Sequence, residues 1–417
     1  MTEACNRLGV RPQTIYAYVS RGKLEVMADP KNTRRSLYRA EDVISLAKRK
    51  QAGRKRETLA ANTLFGFEPS IPTAVATFFR QRLYYRGEDA VLLARTATLE
   101  EVARRLWNAE QEIHFVPGNP QDVDNTGKEA SVRGAGVSPP APARDRKSRR
   151  AAVAKAAGMS NQESLSPRVV AFMRLAAAAA TGHSTRGRMT RLLHNECQSL
   201  VGQLADSFGA RPGPEPLHQR FARGWGQSRE TGELLRTAMV LLADHELTSS
   251  AFAARIAASN AASLPACLLA GLTTLAAPLH GDASGRVRAL FNEVERLGEG
   301  QVIAHYLSEG LSLAGFGHHL YPDGDPRAAA LLNLFEPPKV LATFIRKVTE
   351  LTGLKPNIDA ALAALVAYLR LPADAAFGLF ATARSVGLLA HSLEQLGEAQ
   401  VIRPRGRYVG PIPEVTR

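Results

Sequence analysis

Cysteine is scarce in this chain of 417 residues: Cys5, Cys197 and Cys267 lie far apart, with no CxxC or His-rich spacing around them. That excludes a disulfide framework and leaves no zinc site suggested. Long apolar runs are also missing, for none approaches about 18 residues without a charged or polar break, and the N-terminus lacks a basic-then-apolar leader pattern. Neither membrane insertion nor export is expected, and a soluble, cytoplasmic protein is. Aromatics make up only 6% of residues, and the two tryptophans, Trp107 and Trp225, have no nucleotide-binding context and are expected in packing.

What the chain does have is positive charge, +14 overall. Residues 1–57 hold fourteen Lys/Arg against six Asp/Glu, a surplus of eight in about a seventh of the chain. Such crowding favours a polyanion partner through phosphate neutralisation, although a solvated basic face gives the same count. With 45% hydrophobic residues the chain can bury two or three domains' worth of core.

Residues 2–50 read as one module. "TEACNRLGV" and "RPQTIYAYVSRGKL" are short helical patterns around Gly9, with Ile15 and Val19 four apart on one face. Gln13, Thr14, Tyr16 and Arg21 fall on the other face. "DPKNTRRSLY" reads as a strand-loop wing carrying Arg34 and Arg35, and "AEDVISLAKRK" as a closing helix. The module resembles the winged helix-turn-helix of MerR-type regulators, which implies DNA contacts by these six polar residues.

From Glu57 to about His114, including "RLYYRGEDAVLLARTATLEEVARRLW", the pattern reads as helical. Residues 117–166 lose periodicity to Pro, Gly, Ser and charge, the composition of a mobile insertion. Beyond Pro167 helix follows helix, rich in Ala and Leu with apolar positions at three and four. Candidate strands are few, so the body is expected to be all-α.

Four stretches concentrate polar groups that a plain bundle does not need: "LLADHE" around His245, "PLHGDAS" around His280, "GFGHHLYPDGDPR" with His318 and Arg327, and "KPNID" ending at Asp359. Singly, each histidine reads more simply as a hydrogen-bonded structural residue. In this order, and with "RLYYRGEDAVLLA" before them and "ARSVGLLAH" and "RPRGRYVGP" after, they resemble the citrate synthase family over about residues 57–412.

The resemblance implies large and small helical domains: 51–277 the large domain with its insertion, 278–375 the small one, and 376–417 a return to the large domain that supplies a partner site. It implies condensation of acetyl-CoA, or a close acyl-CoA, with oxaloacetate. By the same resemblance Asp359 is the base, His280 the enolate donor, and His318 the group that polarises and protonates the ketone. His245, Arg327 and Arg384 match dicarboxylate-binding positions, the arginines through forked contacts. Arg403 matches an arginine given by the other subunit, so a homodimer is implied, with no metal and no covalently bound cofactor.

The chain departs from the family pattern at Asp282 and Ser284 beside His280, at His319 and Pro322, and at Leu242, where many members have another histidine. These changes touch the acyl-CoA side. They leave a second reading open, a DNA-binding regulator whose body senses CoA or dicarboxylate.

Overall fold

The computed structural model describes residues 24–29, 32–39, 71–115, 165–277, 280, 283–398 and 400–403, with Ile15, Tyr18, Val19, Asp42 and Val43. Contacts divide the chain into two compact units, residues 1–72 with 403–417, and residues 73–402.

In the first unit, β1 (Val26–Asp29) and β2 (Asn32–Tyr38) pair antiparallel, with Val26 opposite Tyr38. The strand expected in "DPKNTRRSLY" is therefore present, and Arg34 and Arg35 lie on it. Ile15, Leu24 and Val43 are buried, and Val19 is half-buried. Gln13, Thr14, Tyr16 and Arg21 lie outside the described residues, as do the expected first helix and positions 117–164 of the expected insertion.

The second unit opens with a departure from expectation. Residues 76–89 form not a helix but an antiparallel meander of β3 (Ala76–Phe79), β4 (Arg82–Tyr85) and β5 (Glu88–Asp89). The cause is two two-residue turns, Arg80-Gln81 and Arg86-Gly87, whose four residues all have φ between 46° and 88°. Such turns match the twist of a hairpin and stop a helix. Asp89 then ends the sheet and starts α1 (Ala90–Thr96), its Oδ1 accepting from the Val91 and Leu92 N–H groups. A capping box between Thr98 and Glu101 starts α2 (Leu99–Leu106), which buries Leu99, Val102, Ala103 and Leu106 along one stripe.

The helical body continues with α3 (Pro167–Thr181), α4 (Thr190–Ser207), α5 (Leu217–Gly224), α6 (Arg229–Leu242), α7 (Ser249–Ser259) and α8 (Leu264–Leu275). Ser and Thr caps at Ser166, Ser228, Thr248 and Ser263 satisfy N-terminal amides that the helices themselves leave unpaired. Then come α9 (Ala283–Leu297), α10 (Glu299–Ser308), α11 (Pro326–Leu332), α12 (Lys339–Thr352), α13 (Ile358–Tyr368) and α14 (Ala375–Leu396).

The unit has two apolar cores. The larger gathers α1 to α8 and is threaded by α14, buried from Ala375 to Ser392. Small residues let α14 approach closely: the Gly387 N–H donates to the Ala243 carbonyl at 3.1 Å, and a Cβ there would meet Asp244 Oδ1 at 2.3 Å. Trp107 lies in this core and donates to the Val386 carbonyl, the packing role expected of it. The smaller core joins α9, α10 and α12 through residues such as Val287, Phe291, Ile303 and Phe344. Helix α13 belongs to both, with Ile358, Ala361, Leu362 and Leu365 in the larger core and Ala360, Ala363 and Ala364 in the smaller. Among the described residues no helix is long and apolar enough to cross a membrane.

Candidate active site

The backbone joins two of the four polar stretches directly. Phe316 bridges to Pro356, the Gly317 N–H donates to the Lys355 carbonyl (2.8 Å), and the Asn357 N–H to that of Gly315 (2.8 Å). Asn357 adds its side chain, Nδ2 to the Gly317 carbonyl at 3.1 Å, while Oδ1 caps α13 by accepting from the Asp359 and Ala360 N–H groups. Gly315 and Gly317 adopt φ of +87° and +74°, which other residues reach only under strain. A Cβ at Gly315 would lie 2.8 Å from Val287 Cγ2 and 3.0 Å from Ala360 Cβ. Gly315→Ala is expected to lower stability by about 1–3 kcal/mol, read as a lower urea midpoint at unchanged slope.

Asp325 ties the same region together from inside. It is 4% exposed, and its oxygens accept from Arg327 Nε (3.0 Å) and Nη2 (2.9 Å), from the Arg327 N–H that it caps, and from the Ile358 N–H at the start of α13. Burial pushes its carboxyl upward, but the Arg327 charge and these bonds outweigh burial and hold it below the usual range. Asp325 thus takes the Nε–H and one Nη2–H of Arg327, and both hydrogens of Nη1 with the second on Nη2 remain for a ligand. A forked contact with a dicarboxylate stays open to Arg327 through its Nη1–Nη2 side. Arg384, also buried, uses Nε on the Leu242 carbonyl (2.9 Å) and keeps its two terminal nitrogens.

The three histidines have different partners. His318 Nδ1 accepts from the Leu320 N–H at 3.2 Å, so the neutral ring carries its proton on Nε2. Its ring lies 5.3 Å from that of His245 and 4.9 Å from those of His319 and Tyr321. His319 stacks on His318. His245, 8% exposed, shares a 3.2 Å hydrogen bond between Nε2 and the Tyr321 hydroxyl and meets the edge of Phe78. His280 Nε2 is 2.8 Å from Ser250 Oγ, which is 2.9 Å from Thr248 Oγ1.

Electrostatics show that these groups share one neighbourhood. Burial first, and then the charge of Arg384, lowers His280 to about 4. His318 is lowered to about 4 by burial and by Arg327, and His245 falls well below its ordinary value by burial and both arginines. All three rings are therefore neutral at pH 7. Asp359 goes the other way: burial raises it to about 6 even though Arg327 and Arg384 both pull it down. Its Oδ1 is buried without a hydrogen-bond partner. Two guanidinium groups thus act on three neutral imidazoles and a weakly acidic carboxyl.

Arg403 is exposed and falls in the other compact unit. Asp282 lies outside the described residues; Ser284 is buried with an unpartnered hydroxyl, Leu242 is buried and Pro322 exposed. Several groups here escaped the sequence reading: Ser250, Tyr321, Asn357, Asp325 as the anchor of Arg327, and His391. The last is wholly buried with Nε2 3.3 Å from the Oδ1 of Asp244, the residue before His245. Tyr85, in the "RLYYRGEDAVLLA" stretch, has a buried hydroxyl that donates to the Val240 carbonyl and accepts from the Asp244 N–H, fixing the end of α6 before His245. Among the described residues no cluster of His, Cys, Asp and Glu is placed to hold a metal.

The citrate synthase, C-terminal domain family matches residues 69–405. Putative citrate synthase 2 of Mycobacterium tuberculosis is 30% identical over 232 residues, 52% of this chain and 58% of that protein. Citrate synthase 2 of Bacillus subtilis is 34% identical over 190 residues, 43% and 51% of the two chains. The chain spans about half the length of the curated relatives it matches. Among solved structures, citrate synthase from Thermotoga maritima superposes with a TM-score of 0.62 at 23% identity, over 85% of this chain and 97% of that one. The enzyme from Thermoplasma acidophilum, in a ternary complex with carboxymethyl coenzyme A and oxaloacetate, gives 0.65 at 21% identity, over 86% and 98%. At these identities the two structures establish the fold, mostly helical as expected. With a family match across most of its length, this chain belongs to the citrate synthase family.

Proposed function

We propose that the protein condenses acetyl-CoA, or a close acyl-CoA, with oxaloacetate to give citrate, or its homologue, and CoA. The observation that carries this reading is a carboxyl raised to about 6, Asp359, in the field of the same arginines that act on the neutral His280 and His318. A proton next to a thioester is very weakly acidic, so a base needs both strength and a donor for the oxygen that gains charge. Asp359 takes that proton, the electron pair moves onto the thioester oxygen, and His280 donates a hydrogen bond to it. If Thr248 donates to Ser250 and Ser250 to Nε2, the His280 proton sits on Nδ1, ready for this role.

The enol carbon then attacks the ketone carbon of oxaloacetate. His318 gives its Nε2 proton to the oxygen that becomes the hydroxyl, water cleaves the thioester with its hydroxyl going to the acyl carbon and its proton to the departing CoA thiol, and proton exchange with solvent returns His318 to the neutral ring and Asp359 to the carboxylate. Arg384, the free Nη1–Nη2 side of Arg327, and His245 hold the carboxylates. In the homodimer this reading requires, Arg403 of each chain serves the other's site. Neither a metal nor a covalently bound cofactor takes part.

Two measurements bear on the chemistry. The base works only when ionised, so kcat/KM is expected to be level above about pH 6 and to fall about tenfold per unit below it. The fall should steepen near pH 4 as His280 and His318 take protons. A flat profile from pH 7 to 5 would count against Asp359. Ser250→Ala, which frees His280 to rotate, is expected to lower kcat by about tenfold, one hydrogen bond's worth, with KM for oxaloacetate unchanged.

A second reading concerns the first unit and is favoured by its antiparallel hairpin, whose second strand, β2, carries Arg34 and Arg35. Here that unit binds duplex DNA as a winged helix-turn-helix, with Gln13, Thr14, Tyr16 and Arg21 reading bases. Binding should weaken steeply with salt, and Arg34→Ala with Arg35→Ala should reduce both affinity and the salt slope. An affinity that the pair leaves unchanged removes the wing from the account.

A further inference from the structure

One turn carries two rings of the site. The Tyr321 N–H donates to the His318 carbonyl at 3.0 Å and the Gly324 N–H to the Tyr321 carbonyl at 3.0 Å, so the main chain folds back and sets the phenol 4.9 Å from the His318 ring. Tyr321 is 1% exposed. Its ring also meets Phe78 of β3 at 5.6 Å, and the Arg327 guanidinium lies over its face, 5.1 Å from the ring centre. These neighbours fix where the hydroxyl points, which is to His245 Nε2, 3.2 Å away.

That hydrogen bond can run either way, and counting donors decides its direction. Neither Tyr321 nor His245 makes another side-chain hydrogen bond among the described residues. If Nε2–H gave to the phenol oxygen, the phenol proton would be left without an acceptor in a packed interior. If the phenol gives to Nε2, both buried atoms are matched and the proton of the neutral ring sits on Nδ1. Burial raises the Tyr321 phenol above its ordinary value against the pull of Arg327, and burial with both arginines lowers His245 well below its own, so the phenol keeps its proton and the imidazole stays neutral at pH 7. His245 Nδ1 makes no hydrogen bond and is not among the polar atoms that packing closes off, whereas both ring nitrogens of His391 are.

We propose that Tyr321 is a positioning residue: by donating to His245 Nε2 it holds the imidazole proton on Nδ1, from which His245 donates to a carboxylate of oxaloacetate. The opposite tautomer would face that carboxylate with a lone pair and repel it. The inference rests on the condensation reading of the site and adds which nitrogen of His245 meets the substrate and what decides it.

Tyr321→Phe tests it, because the change removes the hydroxyl and keeps the ring that packs against Phe78, His318 and Arg327. Histidine 15N spectra of the full chain at pH 7, with the His245 signals identified by their loss in His245→Gln, should show Nδ1 protonated and Nε2 unprotonated in the parent. In Tyr321→Phe both signals should move toward mixed protonation. In the condensation assay the same variant should raise KM for oxaloacetate by about tenfold, a charge-assisted hydrogen bond's worth. Its kcat and its KM for acetyl-CoA should hold, the signature of lost substrate binding alone. A parent with Nε2 protonated overturns the proposal, and so do His245 signals, or a KM for oxaloacetate in an active enzyme, that Tyr321→Phe leaves unchanged. A parent that does not turn over oxaloacetate overturns the condensation reading instead; Nδ1 protonation that depends on the hydroxyl then still upholds the hydrogen bond proposed here.

Discussion

Asp359→Asn should abolish condensation while the protein stays folded. The substitution keeps shape and removes the only proposed base, so thiol release from acetyl-CoA in the presence of oxaloacetate should fall by roughly 10²–10⁴-fold. Stability should not fall with it. In the folded chain Asp359 titrates near 6, above the value for an unfolded carboxyl, and its Oδ1 is buried without a partner. A carboxyl with a raised folded pKa contributes most below its unfolded pKa and progressively less as pH rises to the folded one. At pH 7 its ionisation therefore works against folding, and the neutral amide relieves that cost. The melting temperature of Asp359→Asn at pH 7 is expected to equal or exceed that of the parent. An inactive variant that melts well below the parent would mean that Asp359 is structural; an active one would remove it from the chemistry.

Arg327→Met carries the largest expected effect on stability. The substitution leaves Asp325, 4% exposed, as an unpaired buried carboxylate that still has the amides of Arg327 and Ile358 to hold. Removing one partner of a buried pair costs about 3–5 kcal/mol, because the remaining charge loses its compensation. Asp325→Asn combined with Arg327→Met should recover part of that loss, since the amide oxygen still accepts from one of the two backbone N–H groups while the charge is gone. Both variants should lack activity. The comparison separates the arginine's role as a brace from its proposed role as a ligand, and urea denaturation of the two variants beside the parent measures it. A single variant as stable as the parent would show that the pair does not brace α11 and α13.

The helical body was legible because its signals are local. Ala/Leu runs at three and four and Ser/Thr before each run leave a trace at every position, as in "SLPACLLAGLTTL". The polar stretches were legible for the opposite reason, since each interrupts such a pattern. The meander at 76–89 was not, because strands of four residues or fewer give too little alternation to set against the helical reading of their neighbours. Nor was the fork of Arg327 facing Asp325, two residues away: "DPR" gives the residues but not which way the guanidinium turns. Ser250 and His280 are thirty positions apart, and Tyr85 and Asp244 more than five times that. Contacts of that kind arise only from packing and leave no periodic trace in the chain.

The staple between the Gly315–Gly317 loop and Asn357 has a consequence for how this protein can diverge. His318 follows directly on one side of the staple and Asp359 two residues after Asn357 on the other, so main-chain hydrogen bonds tie together the segments that carry the proposed proton donor and proton acceptor. Substitutions at Leu242, His319 or Pro322 can therefore reshape what the cleft admits and leave that tie untouched. Under the proposed chemistry, selectivity is free to drift while the acid–base pair keeps its place.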